Sequence, residues 1–166
     1  MRLLPFLTLL VLLTTACGKL PEHNLKWPAR LAGLENFSSA EEERVLLAIE
    51  DLNARAGKVL IDPEAEGSPI TIRWANEIPK LATGDSHVAG RATIYSNRCT
   101  IDLSSLITSS KERIVPVVWH ELGHCAGLSH DASEGEVMYS FTEPLSTYDL
   151  SALRRFLSSL LQASGL

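Results

Sequence analysis

A chain of 166 residues with 45% hydrophobic residues is long enough for one domain with a real core, and its composition is not that of a disordered segment. The net charge of −5 is scattered along the chain, so no basic patch for nucleic acid is expected. There is no internal repeat and no low-complexity run.

Arg2 supplies a short positive region, and Leu3 to Leu13 is apolar apart from Pro5 and Thr8. This stretch is too short for a membrane span and suits a signal peptide. Ala16-Cys17 follows it, a small residue directly before a cysteine, as in a bacterial lipobox, although Thr14 stands where leucine is usual. In that reading residues 1–16 are removed and Cys17 is lipidated. Thr14-x-Ala16 also fits an ordinary signal-peptidase site. The lipobox reading predicts a monomer exported to the cell envelope, facing periplasm or exterior, and held to a membrane by its N-terminal lipid. Residues 17–37, with Gly18, Pro21 and Pro28, read as a tether with a short edge strand near Trp27 to Leu34, and 38–166 as the domain.

Ser38 and Ser39 each have a glutamate three residues on, which predicts a capped helix start. Val45, Leu46, Ile49 and Leu52 repeat at helical spacing until Gly57. Val59-Leu60-Ile61 is a short apolar run, and Asp62 to Pro69 is turn-forming. Pro69 to Trp74 alternates as a strand does. Leu81 to Gly90 is a loop in which Asp85 and His87 could be metal ligands or ordinary polar residues. Arg91 to Tyr95 and Thr100 to Leu103 are further strands. Ser109-x-x-Glu112 looks like a second capping box, and Pro116 limits the next helix to a start between Glu112 and Val115, running to about Ala126.

That helix carries His120-Glu121-Leu122-Gly123-His124-Cys125-Ala126-Gly127-Leu128-Ser129-His130. Two histidines four apart lie about 40° apart around a helix, so both imidazoles reach one ion. Such ligands suit zinc, with Zn–N distances of about 2.0–2.1 Å. Gly127 can take the left-handed conformation that ends the helix and returns His130 as third ligand. Three protein ligands leave a fourth position for water, the arrangement of a catalytic zinc. Glu121, beside the first ligand, can contact that water. Cys125 is turned about 100° from the histidine face and is not a ligand. With Cys17 assigned, Cys99 and Cys125 form either a disulfide or two free thiols. Ser146 to Asp149 should cap a last helix whose apolar face is Leu150, Leu153, Phe156, Leu157, Leu160 and Leu161; an amphipathic membrane helix is the alternative.

H-E-x-x-H-x-x-G-x-x-H, followed by Val137-Met138-Tyr139-Ser140 as a Met-turn, resembles the metzincin metallopeptidases. Seven residues separate His130 from Met138, a spacing similar to that of the matrixin branch. The resemblance covers about residues 38–161, with its specific part at 120–140. It implies an α+β zincin domain: a small mixed twisted sheet, about three helices, the zinc helix followed by the Met-turn and a C-terminal helix. It places the strand near Ala92 to Tyr95 along the rim of the cleft, where an edge strand could bind an extended peptide. Matrixins bind structural zinc and calcium in the preceding region through several His and Asp residues. Here Asp85 and His87 alone are available, so one zinc ion is expected and calcium is unsupported. Residues 17–36 hold no convincing inhibitory cysteine segment.

The implied activity is zinc-dependent endopeptidase, with His120, His124 and His130 on the metal, Glu121 as general base and Met138 forming the floor. Protein or peptide is the expected substrate. The alternatives are an envelope lipoprotein that binds zinc and a partner without cleaving, and an amidase acting on cell-wall peptide.

Overall fold

The computed structural model describes residues 25–75, 78, 89–104, 111–139, 146 and 148–166. The signal segment with Cys17, the loop with Asp85 and His87, Ser109 of the second capping box, and Ser140 and Thr147 lie outside the described residues.

Ser38 opens α1 (Ser39–Ala56) as its sequence predicts. The Glu41 carboxylate accepts from the Ser38 N–H at 2.8 Å and from its Oγ at 2.7 Å. Gly57, with φ of 64°, ends the helix. The buried stripe is Val45, Ala48, Ile49 and Leu52. Leu46 was expected in this stripe and is 41% exposed. One residue on from Val45 is a 100° turn, which carries Leu46 off the stripe and leaves its place to Ala48.

Five strands form one sheet: β1 (Ala29–Glu35), β2 (Ile61–Asp62), β3 (Pro69–Ala75), β4 (Gly90–Ile94) and β5 (Cys99–Ser104). Their order is β2-β1-β3-β5-β4, with β4 antiparallel to β5 and the other pairs parallel. The segment read as a tether therefore contributes a strand, and that strand is interior where an edge strand was expected. Its neighbours explain the difference. Parallel pairing needs a long crossover, and α1 supplies one between β1 and β2. Before β1, the Ser68 N–H donates to the Lys26 carbonyl at 2.7 Å, and Ala29 is fully buried.

Alternation along β3 and β5 sends Ile70, Ile72, Cys99, Ile101 and Leu103 into the core. On the opposite face the Asp102 carboxylate of β5 takes Arg73 Nε of β3 at 2.8 Å and Arg91 Nη2 of β4 at 3.4 Å. One carboxylate thus ties a central strand to both neighbours.

The helix α2 (Lys111–Cys125) packs on α1 and on β4 and β5. It begins at Lys111, so Pro116 falls in its second turn rather than near its start. The Glu112 carbonyl consequently lacks its usual N–H partner there. Trp119 is fully buried and its Nε1 donates to the Ala48 carbonyl at 2.8 Å, which locks α2 against α1. In α3 (Leu150–Ser164), Asp149 caps the start by accepting the Ala152 N–H at 2.7 Å. Leu153, Phe156 and Leu160 enter the core, so this face packs on the protein and is not free for a membrane. Leu150, expected on that face, is 69% exposed at the first residue of the helix, short of the packed region.

Candidate active site

The last turn of α2 is built to aim two histidines. Gly127, with φ of 92°, turns the chain, its N–H donating to the His124 carbonyl at 2.8 Å and the Leu128 N–H to the Gly123 carbonyl at 2.9 Å. This pair of bonds is a Schellman motif. It also presents the Leu128 carbonyl 2.8 Å from His124 Nδ1. The chain then reaches His130 and loops back, closed by the Asp131 N–H donating to the Met138 carbonyl at 2.8 Å. The returning turn places the Val137 carbonyl 2.7 Å from His120 Nδ1. With Nδ1–H donating to a carbonyl, each of these rings keeps its Nε2 lone pair for a metal.

His124 Nε2 lies 3.1 Å from His120 Nε2 and 3.1 Å from His130 Nε2. Three acceptor nitrogens do not attract one another. They do fit the edges of a tetrahedron around one ion, which at Zn–N distances of about 2.0–2.1 Å measure about 3.3–3.4 Å. The donor set suits zinc. His120 is buried, His124 half-buried and His130 exposed, so the opening lies on the His130 side. Burial lowers the pKa of both inner imidazoles, that of His120 to about 4, against the opposing pull of their carbonyl partners. Both are therefore in the neutral, ligating form at ordinary pH.

Glu121 is 4% exposed. The Ala92 backbone N–H favours its ionised form, while Oε2 is buried with no hydrogen-bond partner among the described residues. Burial pushes this carboxyl up to about 8, with the Ala92 N–H and the Arg91 charge pulling the other way. Beneath the site lies Met138. A Cβ added at Gly123 would fall 2.4 Å from Met138 Sδ and 3.2 Å from Phe156 Cε2. Behind the site, Cys99 of β5 is disulfide-bonded to Cys125, the residue after His124, with Cα atoms 5.9 Å apart.

The structure brings His120, His124, His130, Glu121 and Met138 to one place. Sequence reasoning placed Ala92 on the rim strand but not beside Glu121, and it gave no role to Gly123, Gly90 or the carbonyls of Val137 and Leu128. Backbone groups leave no mark in a sequence. Gly123 did leave one: a glycine inside a helix costs about 1 kcal/mol against alanine, which signals a packing reason.

Converging imidazoles on a helix that also carries a buried carboxylate define a metal-dependent hydrolase site of the H-E-x-x-H kind. Residues 34–153 match the family model of matrixin, the M10 peptidases, and the chain belongs to that family. It is accordingly a metallopeptidase in its general class, on a mixed α/β fold proper to metzincins. No curated protein matches the chain.

Proposed function

We propose that the protein is a zinc-dependent endopeptidase of the cell envelope in which Glu121 is the general base. The observation that carries this reading is the juxtaposition of three converging Nε2 atoms with a buried carboxylate whose Oε2 has no hydrogen-bond partner among the described residues. Zinc, when bound, supplies Lewis acidity, acidifying water to a pKa of about 7 and polarising the scissile carbonyl. His120, His124 and His130 hold it, with His120 and His124 fixed in orientation by the Val137 and Leu128 carbonyls. Glu121 Oε2 takes the proton of the attacking water and delivers it to the departing amine nitrogen, which makes the amine a leaving group. Met138 packs under the helix and touches no substrate. The outer edge of β4, which carries no further strand among the described residues, receives an extended peptide through its backbone groups.

Two features support export as part of this reading. Residues 2–17 have the pattern of a lipoprotein signal, and the Cys99–Cys125 bond suits an oxidising compartment.

The test is degradation of an unfolded protein or a mixed peptide pool by the zinc-loaded protein, compared with Glu121→Ala at matched zinc content. Cleavage by the wild type alone, abolished by chelation and restored by zinc, is expected. Full zinc loading with no cleavage by either protein would refute a general endopeptidase.

A further inference from the structure

Glycine is a poor choice for a strand, because it loses the most entropy on ordering and has no side chain to pack. Gly90 nevertheless opens β4, and its φ lies outside the left-handed region, so conformation does not require it. Space does. A Cβ at position 90 would lie 2.7 Å from Glu121 Oε1, 2.9 Å from Glu121 Cγ and 2.8 Å from Val117 Cγ1. Real Cβ atoms do not approach so closely. Val117 and Glu121 stand four residues apart on one face of α2, and that face rests on the backbone of the edge strand.

The hydrogen bonds of β4 explain what this approach achieves. The Ser104 N–H donates to the Ala89 carbonyl and the Tyr95 N–H to the Arg98 carbonyl, both at 2.9 Å. In the same antiparallel register Arg91 is bonded to Asp102 and Thr93 to Thr100. The backbone groups of Gly90, Ala92 and Ile94 therefore point away from β5, toward the outer edge, which carries no further strand among the described residues. The Ala92 N–H faces this edge, on the strand against which the Glu121 carboxylate packs, and it favours the ionised carboxylate.

We propose that Gly90 is a positioning residue: the space it leaves lets the Glu121 carboxylate seat on the outer edge of β4, on the Ala92 N–H, with Oε2 left open for proton transfer. The role in turnover rests on the peptidase reading above. The seating of the carboxylate does not.

Amide hydrogen exchange by NMR on the zinc-loaded full chain, run beside kinetics, separates the two. Ala92 should be protected although it faces the outer edge. Gly90→Ala and Glu121→Ala should each speed its exchange about 10- to 100-fold, the worth of one hydrogen bond to a charged acceptor. Arg91 and Thr93, bonded to β5, should keep their protection. Gly90→Ala should lower kcat about 100-fold, as small misplacements of a reacting group do. KM should change less than about threefold and zinc content should hold. Gly33→Ala, whose Cβ meets nothing within 4 Å, should leave all of these unchanged. Adding Val117→Ala to Gly90→Ala removes the contact with Val117 and keeps those with Glu121. It should leave kcat and Ala92 protection at the level of Gly90→Ala.

Recovery of kcat in that double variant would overturn the proposal, since packing alone would then account for Gly90. Equal Ala92 exchange in wild type and Glu121→Ala would overturn it too. The latter comparison decides the seating even if Gly90→Ala does not fold. Should the wild type cleave nothing while Ala92 behaves as expected, the peptidase reading falls and the seating stands.

Discussion

The Cys99–Cys125 bond offers the most quantitative test of how the scaffold holds the metal helix. It joins β5 to the last residue of α2 across a sequence separation of 26. Closing a loop of that length in the unfolded chain removes entropy worth about 3.5 kcal/mol at 25 °C in the chain-entropy account. For a chain of this size that corresponds to a fall in Tm of about 10 °C when the bond is absent. Both side chains are buried, so reduction keeps the packing and isolates the crosslink. Cys99→Ala and Cys125→Ala each remove the bond and also a buried sulfur, adding roughly 1 kcal/mol of lost packing. The assay is urea unfolding of oxidised wild type, reduced wild type and both variants. It is run in chelator and again at fixed free zinc, because bound metal stabilises the folded state by mass action. Reduced wild type should lose about 3.5 kcal/mol in chelator. The two single variants should fall slightly below it and close to each other, since either one breaks the same bond. A loss under about 1 kcal/mol on reduction would refute the reasoning, because it would mean that the unfolded chain gains little freedom when the bond opens.

Metal removal should expose opposing pH dependences. In chelator, the folded pKa of His120 is depressed to about 4, so its contribution is present above pH 6.5 and is lost as pH falls toward 4. Glu121 is raised to about 8, so its contribution is present below pH 4.5 and is lost as pH rises through 8. His124 is lowered as well, so the two imidazoles together outweigh Glu121 as pH approaches 6.5: urea midpoints should rise with pH up to about 6.5 and fall above it, by at most about 1.4 kcal/mol per pH unit for each group. Stability that still climbs from pH 6.5 to 8 would contradict the burial of Glu121. Gly123→Ala should lower the melting temperature: overpacking against Met138 and Phe156 costs about 1–3 kcal/mol, more than the roughly 1 kcal/mol of helix propensity gained. A rise in melting temperature, read by calorimetry, would mean that Met138 moves aside freely.

Much of the site was legible because its chemistry is local. His120 and His124 are one helical turn apart, and Gly127 sits where only a left-handed residue can end that turn, so the ligand set and the carboxylate beside it follow from spacing within eleven residues. The caps at Ser38 and Asp149 and the amphipathic faces of α1 and α3 are short-range for the same reason. The tertiary structure decided whatever depends on contacts between distant segments. It set β1 in the interior of the sheet, since parallel strands pair through partners supplied far along the chain. It brought Cys99 and Cys125 together, and it laid the backbone of Gly90 and Ala92 against Glu121. A hydrogen bond from a backbone N–H is available to every residue but proline, so nothing in the sequence says which one will hold the base. Only the packing of α2 on the edge of the sheet makes that choice.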